Sequence, residues 1–205
     1  MTALKADFAG YEFLQTKLKS IPKYGMDCEE ADAMANRVAS DFSDMYLNYR
    51  TRWGGKGKPV ILTFVYSPEA ASILGATAHG KNACKGVAHG VTPQSGAMTE
   101  GITAAITSCG RMPHEKFAGG ASTMWDFDSA WATEPVIEAL IRTFIAKGGQ
   151  IFQGNTTPLS ELLDALEHPE DHPQLIVRVG GYSARFVTLS RALQEDIINR
   201  IRHAG

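Results

Sequence analysis

The sequence has few cysteines, no surplus of either charge and no long apolar run, and each of these absences excludes something. Its three cysteines, Cys28, Cys84 and Cys109, are an odd number at wide spacing, which gives neither a disulfide framework nor a zinc ribbon. A reducing cytoplasm is therefore the expected location. Twenty basic residues against 22 acidic ones leave a formal charge of −2 and a pI near 6.3. No lysine or arginine stripe stands out, so the electrostatic footprint of a nucleic-acid or anionic-membrane binder is missing. The opening stretch MTALKADFAG mixes charges among its apolar residues and so lacks the apolar core of a signal peptide or membrane anchor. Internal repeats and low-complexity tracts are absent too. What is left is 205 residues of ordinary globular composition, 44% hydrophobic and 20% charged.

Helical periodicity is the clearest positive signal. Leu4, Phe8, Tyr11, Leu14 and Leu18 predict a first helix ending at the PKYG stretch. Ala31, Ala35, Val38, Phe42, Met45 and Tyr49 predict a second over 28–50, with Asp, Glu and Asn between them. WGGKGKP (53–59) breaks the chain, and VILTFVY after it reads either as a strand or as the start of a buried helix. Residues 75–120 carry many glycines and little periodicity, and predict a long ordered loop with one short helix near GITAAITS. A helix follows over EPVIEALIRTFIAKGG, with Pro135 in its first turn and Gly148 at its end. QIFQGN is a strand, TPLSELLDALEHP a helix capped by Thr157, LIVRV a strand, and SRALQEDIINRIRH a last helix capped by Ser190. Helices alternating with short strands predict an α/β architecture.

Several motifs invite a chemical reading. GATAHGKN (75–82) fits most of the phosphate-loop pattern G-x-x-x-x-G-K-[ST], but Asn82 replaces the metal-binding hydroxyl and no strand or helix signal flanks it. A glycine-rich structural loop is the better reading. His79, His89 and His114 are candidate ligands or bases without a recognised metal spacing. Asp126, Asp128 and Glu134 are candidate paired carboxylates that equally suit a helix start. The aromatics of MWDFDSAW read as core anchors.

The stretch IVRVGGYSARF (176–186) sets Gly180 and Gly181 between a β-branched run and Tyr182, with Arg178 and Arg185 on either side. By composition alone the pair is a tight turn needing positive φ. Its surroundings say more. LIVRVGGYSARFVTLSRALQEDIINRIRH resembles the carboxyl-terminal segment of the glycyl radical enzymes, whose hallmark is R-V-x-G-Y followed by a last helix with Q-x-x-I-I-x-R. Upstream, PKYGMDC is similar to the family's P-K-Y-G-N-D-D segment. GATAHGK, GVAHGVTPQSG and EGITAAITS follow its A-T-P-D-G-R, A-D-G-x-S-P and G-P-T-A blocks. Met26, Cys28 and Gly180 depart from those patterns.

The resemblance implies that Gly181 carries a backbone radical, and that Arg178, Val179 and Tyr182 are the positions an activating enzyme reads. That activase would be an S-adenosylmethionine radical enzyme with an iron–sulfur cluster; this chain itself would bind no cofactor and no metal. The fold implied is the C-terminal part of a ten-stranded α/β barrel, with a helical and loop portion over 1–170 and a glycyl radical domain over 171–205. Family members are several hundred residues longer, and their substrate-attacking cysteine lies in a loop upstream of anything matched here. The expected partner is therefore a large subunit supplying most of the barrel and a thiyl cysteine for lyase or synthase chemistry. A stand-alone part that repairs an oxygen-damaged enzyme is the alternative.

Overall fold

A computed structural model describes residues 1–202 apart from Phe64, Ser95, Asp128 and Ala130, with Ile201 and Arg202 as backbone alone. Asp128, one of the candidate carboxylates, thus lies outside the described residues. The α/β expectation holds: helices α1 (Thr2–Lys5), α2 (Glu12–Ser20), α3 (Glu29–Asn48), α4 (Tyr66–Ile73), α5 (Gly101–Gly110), α6 (Glu134–Ala146), α7 (Leu159–Glu167) and α8 (Arg191–Arg202) surround two small sheets. The first sheet is parallel. It places β2 (Gly120–Asp126) between β1 (Val60–Ile61) and β3 (Ile151–Asn155), with Ser122 opposite Ile151 and Asp126 opposite Asn155. The second is an antiparallel hairpin of β4 (Ile176–Arg178) and β5 (Ser183–Arg185).

The central strand was hidden in the sequence. Its residues, GASTMWD, are buried from Ala121 onward, and a strand covered on both faces has no need to alternate apolar with polar. VILTFVY proves to be both things at once, a two-residue strand followed by α4. The main core forms where α5 and α6 pack on β2, through Ala105, Ile106, Cys109, Trp125, Phe127, Leu140 and Phe144. Phe152 closes it from β3, stacked 6.1 Å from Phe127 and edge-on to Phe144 at 5.4 Å. Trp125 and Phe127 are thus core anchors, as their composition suggests.

The glycine-rich stretch is ordered by being laid against this sheet. Val91 donates its amide to the Ser122 carbonyl at 2.8 Å, and Met124 donates to Thr92 Oγ1 at 2.7 Å. Gly90 sits at φ +64°, where a Cβ would overlap the Ser122 carbonyl, so glycine is required by the closeness of the approach.

A second core lies under the hairpin. Leu162 and Ala165 of α7 and Ile197 and Ile198 of α8 enclose Val177, Val179 and Phe186. The helix α7 starts after Pro158 and has no side-chain cap, so the cap expected from Thr157 is not formed. At α8 it is the Ser190 carbonyl that accepts the amides of Leu193 and Gln194, both at 3.0 Å.

One further expectation needs correction. The first predicted helix is broken into α1 and α2, because Asp7, Phe8 and Gly10 take left-handed φ of 49°, 65° and 78°. That reversal buries Phe8 and lets the Asp7 carboxylate accept the Ala83 amide at 2.7 Å. Helix α3 forms as expected. It packs through Asp32 and Ser43, while Val38 (62% exposed), Phe42 (54%) and Met45 (77%), and Tyr49 (63%) just past its end, point to solvent.

Candidate functional site

The bend between β4 and β5 is closed by the Val179 amide, which donates to the Tyr182 carbonyl at 3.0 Å. Gly181 takes φ +81°, a conformation costly for any side chain. Its amide donates to Gln153 Oε1 at 2.5 Å, and the same oxygen accepts Arg178 Nε at 3.0 Å. Gln153 therefore grips both the glycine and the arginine three residues before it. Two residues along β3, on the same face of the strand, Asn155 Oδ1 accepts the Arg178 amide at 2.6 Å and its Nδ2 donates to the Arg178 carbonyl at 2.9 Å. Asn155 in turn donates to Asp126 Oδ1 at 2.9 Å.

The last helix completes the seat. Gln194 Nε2 donates to the Phe186 carbonyl at 3.0 Å, and Arg200 donates from its two terminal nitrogens to the carbonyls of Val179 at 3.2 Å and Arg178 at 3.4 Å. Ile197 and Ile198 are buried in the hairpin core. Every named position of the Q-x-x-I-I-x-R pattern thus bears on the hairpin segment. Arg200 also lies 3.8 Å from Asp126 Oδ2 and 3.9 Å from Asp196 Oδ2. Burial pushes the Asp126 carboxyl above its usual range, against the pull of Arg200 and Asn155. Burial pushes Asp196 the same way, yet His89, Arg200 and Ser67 hold it below the usual carboxylate range.

The predicted positions are brought together unevenly. Gly180 is buried and lines a small cavity with His89, Met124 and Gln153, while Gly181 is exposed on the outer side of the bend. Arg178 is half-buried, Val179 is buried at 2% exposure, and Tyr182 is 44% exposed. Gln153, Asn155 and Asp196 escaped the sequence reading. The available signal was the polar pair Gln153 and Asn155, two apart in a strand that also carries Ile151 and Phe152.

The other candidates go elsewhere. His114 is buried with Nε2 2.8 Å from the Cys109 carbonyl. His79 lies 3.2 Å from Thr77 Oγ1, its pKa lowered by burial and by Lys23 and Lys81. Among the described residues no group of three potential ligands could hold a metal. Asp126 is engaged with Asn155 and Arg200, whereas Glu134 opens α6. Lys81 of the phosphate-loop look-alike is buried against the carbonyls of Asn82 and Lys85, with α4 before the loop. Cys109 donates to the Val91 carbonyl at 3.3 Å, and burial pushes its thiol up to about 12. Cys28 is half-buried and Cys84 exposed. No helix among the described residues is long and apolar enough to cross a membrane.

Comparison with known proteins agrees with this geometry. The family described as Glycine radical matches residues 87–187, and the one described as Pyruvate formate lyase-like matches residues 1–67. The trans-4-hydroxy-L-proline dehydratase of Clostridioides difficile is 33% identical over 98% of this chain, which spans 26% of that protein. A glycyl radical enzyme from Archaeoglobus fulgidus superposes with a TM-score of 0.92 at 33% identity, over 98% of this chain and 26% of that one. The B12-independent glycerol dehydratase of Clostridium butyricum gives 0.90 at 32%, over 97% and 26%. The chain spans about a quarter of the length of the relatives it matches. With both family matches, this backbone likeness and the R-V-G-G-Y bend in one chain, it belongs to the glycyl radical enzyme superfamily, as a counterpart of the C-terminal portion of its members.

Proposed function

We propose that this chain is the radical-bearing component of a glycyl radical enzyme, with the radical on the Cα of Gly181 and the rest of the catalytic machinery on a separate large polypeptide. The observation that carries the reading is the bend itself. An exposed glycine at φ +81°, its amide tied to Gln153 and the carbonyls of Arg178 and Val179 before it tied to Arg200, is a main-chain carbon held in place without a side chain. Removing one hydrogen atom from that carbon leaves a radical that delocalises between amide nitrogen and carbonyl once the centre flattens. Glycine flattens with least obstruction because it has no Cβ.

An activase of the radical S-adenosylmethionine type takes that hydrogen atom, reading Arg178, Val179 and Tyr182. Because Val179 is buried in the seated bend, the segment is read after it has swung out. Once reseated, the glycyl radical takes a hydrogen atom from a cysteine S–H of the large polypeptide, and the resulting thiyl radical attacks the substrate. The reaction class is that of a lyase, and the dehydratase relatives favour elimination of water with cleavage of a C–O bond.

The apolar face of α3 supports the separate polypeptide. Val38, Phe42 and Met45 repeat at spacings of four and three residues along one side of the helix, Tyr49 follows just past its end, and all four are exposed. A three-stranded parallel sheet with β1 and β3 at its edges also leaves a barrel to be completed. In this reading residues 171–205 form the radical domain, seated on α7, and residues 1–170 form the part of the barrel wall that this chain contributes. The match over residues 1–67 extends far beyond the radical bend and favours this reading over a spare part for repair.

The test is anaerobic incubation with the activase and the large polypeptide, followed by electron paramagnetic resonance. A glycyl doublet that vanishes in Gly181→Ala is expected. Absence of spin at residue 181 in assembled material overturns the reading, and turnover by this chain and the activase alone overturns the split.

A further inference from the structure

Behind the bend lies a charged cluster that the radical chemistry does not employ. His89, Asp126 and Arg200 are buried, and the Asp196 side chain is 11% exposed. The backbone on either side of His89 is fixed: Thr63 Oγ1 donates to the Ala88 carbonyl and accepts the Gly90 amide, both at 2.9 Å. The imidazole is thereby held on the sheet side, where it shares one small cavity with Gly180, Met124 and Gln153 and another with Asp126 and Arg200. Its Nε2 lies 3.0 Å from Asp196 Oδ2, within ion-pair reach but out of line for a directed hydrogen bond. The other oxygen of Asp196 accepts Ser67 Oγ of α4 at 3.1 Å. One helical turn further along α8, Arg200 holds the carbonyls of Arg178 and Val179.

We propose that His89 and Asp196 form a clasp that keeps α8, and through Arg200 the bend carrying Gly181, seated on the sheet. His89 is a positioning residue here. It reaches the bend through α8, which Asp196 ties to the sheet side and Arg200 ties to the hairpin. The charged groups facing it are Asp196 and Arg200 from α8 and Asp126 from β2, so the imidazole is the one member of the cluster contributed by the glycine-rich segment. Opening the clasp frees α8 and the bend together, leaving β2 and β3 paired. That this delivers Gly181 to an activase rests on the function proposed above; the clasp itself does not.

Hydrogen exchange on the 205-residue chain tests it directly. In His89→Ala, and separately in the near-isosteric Asp196→Asn, the amides of Arg178, Val179 and Gly181 should exchange on the order of tenfold faster. The double variant should be no faster than the faster single one, and the amides of 122–126 and 151–155 should keep their wild-type rates. Unchanged exchange at the bend, accelerations that multiply in the double variant, or loss of protection spread equally over β2 and β3 would each overturn the clasp. Trypsin cleavage after Arg178 gives a second reading of the same opening. If the exchange results hold and no glycyl spin is ever found, the clasp stands and the radical assignment falls. If the spin forms and the bend's exchange ignores both substitutions, the clasp falls alone.

Discussion

The parallel sheet and the tip of the hairpin are held by different means. Around β2 the grip is apolar: Trp125, Phe127, Phe144 and Phe152 are packed with Ile106 and Leu140. At the tip of the hairpin it is a handful of side-chain hydrogen bonds, from Gln153, Asn155 and Arg200, to a backbone that ends in an exposed glycine. Water cannot replace the first kind of contact, but it can replace the second at little net cost, since a folded hydrogen bond contributes only about 0.5–1.5 kcal/mol beyond its hydrated equivalent. The hold on the bend is thus the more easily released of the two, as the proposed activation requires.

Substitutions on the two sides should separate these behaviours. The largest effect belongs to the sheet. Trp125→Ala should cost about 3–5 kcal/mol, read as a lowered urea midpoint with loss of protection throughout β2 and β3. Next is Gln153→Leu, which leaves the Gly181 amide and the Arg178 guanidinium without their shared acceptor. It should cost about 1–3 kcal/mol and appear as faster exchange confined to 178–183; a uniform loss of protection would erase the contrast between sheet and bend.

Acid should act on the bend side as well. The folded-state pKa of Asp196 is lowered, so its stabilising contribution is present above the unfolded value and disappears as pH falls through the folded one. Asp126 is raised, so its contribution is present below its unfolded value and is lost as pH rises through the folded one. Melting temperature against pH should therefore show a shallower acid slope in Asp196→Asn and a steeper one in Asp126→Asn. The smallest effect is expected on α3, where Met45→Ser should alter the stability of the isolated chain by no more than about 0.5 kcal/mol. The same change should weaken capture of the large polypeptide in a pull-down.

What the sequence disclosed, and what it withheld, follows the same division. α3, α6, α7 and α8 were legible because each carries an apolar stripe at helical spacing, and β3 and β4 because β-branched or aromatic residues mark them. β2 was not legible, since burial on both faces removes the alternation by which strands are recognised. What lies against α3 was not legible either: an apolar stripe announces that something will cover it but does not name what does. At the site, the glycine pair and its flanking arginine and tyrosine declare themselves by their rarity in a strand. Gln153 reaches Gly181 from 28 positions away, and only the parallel pairing of β2 with β3 and the docking of the hairpin bring the two together.

Phe186 has a consequence for the fate of the molecule in air. It follows the bend by five residues, is fully buried, and is held by Gln194 from α8. If Gly181 carries the proposed radical, main-chain scission by dioxygen there would sever everything from Tyr182 onward, yet that severed tail would keep Phe186, Ile197 and Ile198 in their sockets and its pairing with β4. The nicked protein would then travel as one particle in native electrophoresis and as two in denaturant, and exchange of the moored tail for an intact one would be a matter of unseating a peptide.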